Sequence, residues 1–170
     1  NLQAMTSEPS DRQLLADVLQ QLLNVVAQSA DPDQALTYLE RASQLKPGNY
    51  ENAYLLALAY ADSGQYQRAR ANAQALLTAR EKPGQKNEAE LHHLLGDIEE
   101  KSGNPLEAVR QYQKAAELDP SEPYFFDWGS ELLLHRAVEP AIEVFNKGNR
   151  LFPRSARMLV ALGVAWYSNG

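Results

Sequence analysis

The sequence predicts an all-α chain, a solenoid of antiparallel helix pairs, on three observations. Gly96, Ala108 and Pro120 return as Gly129, Ala141 and Pro153, each displaced by 33, and Tyr112 and Ala115 shift by the same step onto Phe145 and Gly148. The small residue comes round again 34 positions on, at Gly163. Between the anchors, apolar residues recur at helical spacing and turn signals follow at short intervals, with no alternating β-branched segment to suggest a strand. A period of this length belongs to stacked repeat units, which present an extended concave surface.

The elements follow in order. Residues 1–9 are polar, carry Ser and Pro, and are expected to fray. Ser10 with Gln13 reads as a capping box opening a first helix, with Leu14, Leu15, Val18, Leu22 and Val26 on its apolar side. Asp31-Pro32 breaks it, and a second helix runs from Pro32 to Leu45 until Lys46-Pro47-Gly48-Asn49 turns the chain. A third spans Tyr50–Asp62 and stops at Ser63-Gly64; a fourth runs from Tyr66 to about Arg80. Glu81 to Lys86 is then a polar stretch that inserts five residues relative to the repeat, because Ala57 to Gly96 is 39 where neighbouring intervals are 33 or 34. The fifth helix is Asn87–Lys101 and the sixth Pro105–Leu118, with proline tolerated in the first turn. A seventh follows Ser121 to about His135, an eighth covers Val138–Leu151, and a ninth covers Ala156–Ser168.

The anchors resemble tetratricopeptide repeats, helix–turn–helix units of about 34 residues. The strongest unit reads Leu95-Gly96, Gly103, Ala108, Tyr112, Ala115, Pro120; the next reads Trp128-Gly129, Ala141, Phe145, Gly148, Pro153. An earlier one supplies Leu56-Ala57, Tyr60, Gly64, Ala69 and Ala73. The resemblance implies a superhelix forming one domain over 10–170, with repeats at 16–49, 50–88, 89–121, 122–155 and a partial unit at 156–170. It gives each anchor a packing task. Small residues on the first helix of a pair admit the second closely, and Tyr60, Tyr112, Phe145 and Trp166 fill the space between units. Prolines end the second helices. Three departures stand out: Leu23 occupies a usually small position, Glu81 stands where a proline is usual, and Glu99 replaces an aromatic, which softens packing.

The resemblance also implies that the first helix of each pair lines the hollow. The expected groove residues are Tyr54, Leu58 and Asp62; His93, Asp97 and Lys101; Phe126, Ser130 and Leu134; and Val160, Val164 and Tyr167, each set spaced to share a helix face. Such a strip suits a peptide held by aromatic and aliphatic anchors, with acidic groups choosing a basic flank. Other readings stay open, since Tyr54, Phe126 and Leu134 also fit contact with an adjacent unit, Asp62 and Asp97 also fit solvated charges, and the apolar strip of the ninth helix also fits a face that a following helix would cover. Grip on a terminal carboxylate, known in this family, is not expected: the corresponding places hold Gln20, Asn24, Leu55, Glu90 and Asp127. Nor do Gln21, Leu55, Leu94, Asp127 and Ala161 form an asparagine ladder.

Composition narrows the function classes. A net charge of −6 argues against non-specific nucleic-acid binding, which needs a basic stripe. With no cysteine, disulfides, thiolate metal sites and cysteine nucleophiles are excluded. No apolar run approaches a membrane span, and no signal peptide is visible, so a soluble cytoplasmic or periplasmic chain is expected. His92-His93 with Asp97 is the cluster closest to a metal or acid–base site, but zinc wants further ligands and His135 lies two helices away, so a hydrogen-bonding histidine is expected. Asp97, Glu99 and Glu100 read as a helix face with nothing to desolvate them. No phosphate loop, nucleophile elbow or dinucleotide fingerprint occurs.

The expected function is therefore a non-enzymatic scaffold binding a protein or peptide, without catalytic, cofactor or metal residues. The alternative is a regulatory or targeting arm of a larger enzyme or membrane-associated protein. Self-association through Leu159, Leu162, Val164 and Trp166 is a third expectation, because these would expose a contiguous apolar face.

Overall fold

In the computed structural model, the described residues are 9–29, 31–79 and 83–170. They form helices α1 (Pro9–Ser29), α2 (Pro32–Leu45), α3 (Tyr50–Asp62), α4 (Tyr66–Leu77), α5 (Gln85–Lys101), α6 (Pro105–Leu118), α7 (Glu122–Leu134), α8 (Val138–Leu151) and α9 (Ala156–Ser168), with no strand among the described residues. The all-α class of successive helix pairs is thus as the sequence predicts. Most boundaries agree with expectation. The fourth helix ends at Leu77, short of Arg80, where the Thr78 amide caps onto the Gln74 carbonyl, and the fifth begins at Gln85, ahead of Asn87. The expected frayed segment falls on residues 1–9, of which 1–8 lie outside the described residues, as do Arg80, Glu81 and Lys82 of the insertion. The Ser10–Gln13 capping box rests on a side chain that lies outside them too. By packing, the described residues separate into two compact units, divided after Thr78.

In the first unit α1 packs on α2, α2 on α3 and α3 on α4. Here the expected core face of α1 is corrected. Leu14, Leu15, Val18, Leu22 and Val26 stay exposed, whereas Gln20, Asn24 and Ala27 are buried. The cause is Asn52 of α3. Gln20 Nε2 and Asn24 Nδ2 donate to its Oδ1 at 2.8 and 2.9 Å, and its own Nδ2 donates to the Ala42 carbonyl at 3.2 Å. Burying these amide nitrogens requires acceptors for them, and the Asn52 carbonyl supplies one for the inward face of α1, although Asn24 Oδ1 is left without a partner. Asn24 Nδ2 is therefore occupied inside the packing.

In the second unit α5 packs on α6, α6 on α7, α7 on α8, and α9 on α8 and α7. The small residues admit rings as anticipated. A Cβ at Gly96 would lie 2.5 Å from Tyr112 Cδ1, and one at Gly129 would lie 2.5 Å from Phe145 Cε1. Both rings therefore pack against the first helix of their own pair, and both also line concavities shared with the next repeat. A further contact between successive repeats is made at Gly148, where a Cβ would meet Met158 Cε at 2.8 Å. Trp166, on the last helix, stands 54% exposed. Glu99, expected to soften the third repeat, is buried and accepts from Asn104 Nδ2 at 2.8 Å, tying the end of α5 to the turn.

The turns inside three pairs share one hydrogen-bond plan. The amides of Gln65, Asn104 and Ala137 reach back to the carbonyls of Tyr60, Glu99 and Leu132 at 2.8, 2.8 and 2.9 Å. This closure needs a left-handed residue before the closing amide. Gly64 and Gly103 supply it at φ 75° and 79°, but the third turn places Arg136 there at φ 61°.

Candidate functional site

Helices α7 and α9 of the second unit present their first-helix faces to a common groove of about 650 Å³. Phe126, Ser130 and Leu134 recur every four residues along α7, and Val160 and Val164 do so along α9. All five line this groove, together with Leu133, Phe145, Ala156, Arg157 and Ala161. The Phe126 ring packs 6.3 Å from Phe145 and lies 4.6 Å beneath the Arg157 guanidinium. Arg157 is held there by Glu122, whose Oε1 accepts from Arg157 Nε at 2.6 Å and from Ser155 Oγ, while Oε2 accepts from Arg157 Nη2. The Arg157 hydrogen bond is the main reason the Glu122 carboxyl sits below its usual pKa. Ser155 also caps α9 by accepting from the Met158 amide. A cation is thus fixed at one wall of an otherwise apolar trough.

A second concavity of about 330 Å³ shares Ser130 and Leu134 with the groove and is lined further by Asp97, Glu100, Tyr112, Asp127 and Glu131. The Tyr112 hydroxyl lies 2.8 Å from both Asp97 Oδ1 and Glu100 Oε2. Asp127 Oδ2 pairs with His93 Nε2 at 2.8 Å, and His93 Nδ1 stands 3.9 Å from Asp97 Oδ2. The His93 ring is flanked by Tyr124 and Tyr112 at 4.9 and 5.5 Å. Burial alone disfavours the imidazolium, but the hydrogen bond to Asp127 and the charges of Asp97 and Asp127 outweigh it, so the His93 pKa is raised. Burial raises the Asp97 pKa despite His93 and the Tyr112 bond, which corrects the expectation that nothing desolvates this carboxylate.

The expected site residues thus fall into three sets. Phe126, Ser130, Leu134, Val160 and Val164 come together in the groove, and Asp97 lines the acidic recess beside it. His93 lines neither and acts from behind through Asp127. Tyr54, Leu58 and Asp62 lie on α3 of the first unit, where Tyr54 stacks on Tyr50 at 6.1 Å and Leu58 is exposed. Lys101 and Tyr167 are exposed. Tyr112, Glu100, Asp127, Glu131 and Arg157 escape the expected groove set. One signal was available: His93 and Asp127 are 34 apart, and Glu122 lies 33 and 35 from Ser155 and Arg157, so side chains one repeat apart meet. Among the described residues no cluster of His, Asp and Glu is placed to hold a metal ion, and no helix is long and apolar enough to cross a membrane.

The tetratricopeptide repeat family model matches residues 49–121. No curated protein matches the sequence. Among solved structures, MamA is similar at 18% identity and a TM-score of 0.75, covering 91% of this chain and 82% of MamA. A double mutant of MamA RS-1 is 22% identical with a TM-score of 0.70, covering 81% and 75%. YrrB, described as a TPR protein with an unusual peptide-binding site, is 20% identical with a TM-score of 0.67, covering 89% and 76%. At these identities the likeness is one of fold. Residues 49–121 thus match tetratricopeptide repeats, and the rest of the chain shares the helical-repeat fold of these structures.

Proposed function

We propose that this chain is a non-enzymatic protein-interaction module that seats a peptide or protein segment in the groove between α7 and α9. Tetratricopeptide repeats in general serve as binding scaffolds with extended concave faces. The observation that carries the reading is the convergence of Phe126, Ser130, Leu134, Val160 and Val164 on one apolar trough with a polar rim at Arg157. A large apolar concavity with few polar groups is the usual form of a ligand site. Peptides selected from a random display library on the full chain test the proposal. Phe126→Ala and Val160→Glu should each weaken the selected peptides at least about tenfold, as loss of a buried anchor does. Unchanged affinity in both variants would overturn the groove assignment.

A second surface supports self-association as a further reading. Leu159, Leu162 and Trp166 form a stripe on the side of α9 away from Val160 and Val164, and Leu159 and Trp166 are exposed. A concentration-dependent dimer, dissociated by Trp166→Glu, is expected in light scattering. A monomer at all concentrations would count against it.

A further inference from the structure

We propose that the recess beside the groove is a subsite for the cationic side chain, lysine or arginine, of the bound segment, an inference that rests on the groove reading. Four carboxylates, from Asp97 and Glu100 on α5 and Asp127 and Glu131 on α7, line one concavity of about 330 Å³.

The recess has more acceptors than donors. A hydroxyl carries one proton, so the Tyr112 hydroxyl, 2.8 Å from both Asp97 and Glu100, donates to only one of them at a time. His93 reaches Asp127 and stands too far from Asp97 for a hydrogen bond. Glu131 is the sharpest case. It is 3% exposed, and its Oε1 accepts no hydrogen bond, although His135 Nε2 approaches to 3.2 Å as an ion pair. A buried, unsatisfied carboxylate oxygen is costly unless something completes it.

The surrounding cations do not close this deficit. Lys101 acts on Asp97 from the last turn of α5, Arg157 is committed to Glu122, and His135 partners Glu131 alone. Burial, with Glu100 next, raises the Glu131 pKa above the usual carboxylate value and outweighs the opposing pull of His135. A bare metal ion does not suit the spread of these groups, since no cluster of metal-holding geometry exists among the described residues. An organic cation does. Its three to five N–H donors span several acceptors at once.

Position names the source of that cation. Ser130 and Leu134 belong to both concavities, so a segment with an apolar side chain in the groove carries a neighbouring residue over the recess. The chemistry recognised is an apolar residue next to a basic one.

The display selection is read for this pairing. Selected peptides should be enriched in lysine or arginine beside an apolar residue. Replacing that residue by norleucine or citrulline should weaken binding to the full chain at least about tenfold by fluorescence anisotropy, the scale of a lost charge-assisted contact. In the Asp97→Asn, Glu131→Gln double variant the basic and neutral peptides should bind alike. Glu139→Gln with Glu143→Gln, on the exposed face of α8, should leave the discrimination intact, which separates a local subsite from the general pull of a net charge of −6. Should the double variant fail to show helical circular dichroism, Glu100→Gln, at an exposed position, carries the same comparison. Peptides that depend on Phe126 yet show no basic preference, or keep it in the variants, overturn the subsite and leave the groove standing. Peptides indifferent to Phe126→Ala and Val160→Glu, or no enrichment at all, overturn both.

Discussion

At the residue scale, one small position of the repeat is set by the ring it faces. Gly96 and Gly129 touch rings of their own helix pair, and a methyl there would overlap Tyr112 or Phe145 at 2.5 Å. Both rings are buried and Tyr112 is tied by its hydroxyl, so neither yields easily. Gly96→Ala and Gly129→Ala should each destabilise by about 1–3 kcal/mol, the scale of overpacking. Urea melts of the two variants check this; unchanged midpoints would refute the packing account. The glycine register was visible in the sequence. That each glycine faces a ring of its own pair was not, because the neighbour of a helical position is a property of the packed pair.

At the scale of the element, α1 shows where reading stops short. Its apolar periodicity was plain, yet Gln20 and Asn24 face inward because Asn52, 32 and 28 positions away, offers them an acceptor. Periodicity ranks hydrophobic faces and has no access to a partner amide on another helix. Asn52→Ala should cost about 2–4 kcal/mol, since it orphans the buried amide groups of Gln20 and Asn24 together. Thermal melts should show it weaker than Asn49→Ala, which removes a helix cap worth about 1 kcal/mol. By contrast, the groove-lining residues of α7 and α9 were legible from four-residue spacing alone. The acidic recess beside them draws on α5, α6 and α7, so the carboxylates of α5 read as a solvated face until Tyr112 and Asp127 are seen opposite.

At the scale of the whole molecule, charge and folding units set the behaviour. The His93 pKa is raised above 6.5, so its contribution to stability is fully present below that value and is lost as pH rises through the folded value. Asp97 and Glu131, raised from 3.8 and 4.5, have the same sign at lower pH. Melting temperature should fall between pH 6 and 9 by more in the wild type than in His93→Gln; parallel profiles would contradict the paired histidine. Residues 79–170 carry a core of their own around Phe125, Phe145, Ile142 and Met158. A chain begun at Pro83 should melt cooperatively and bind the selected peptides as the full chain does. A molten fragment would show that this unit leans on the other.

Arg136 holds the left-handed place that Gly64 and Gly103 fill in the other two turns, and its hairpin bears the α7 wall of the groove. A side chain forced into that geometry keeps about 1 kcal/mol of discomfort in the joint. The hairpin is thus a detuned spring, and Arg136→Gly is a way to relax it without touching a single lining residue. A tighter grip in that variant would mean that recognition is limited by how well the wall holds still.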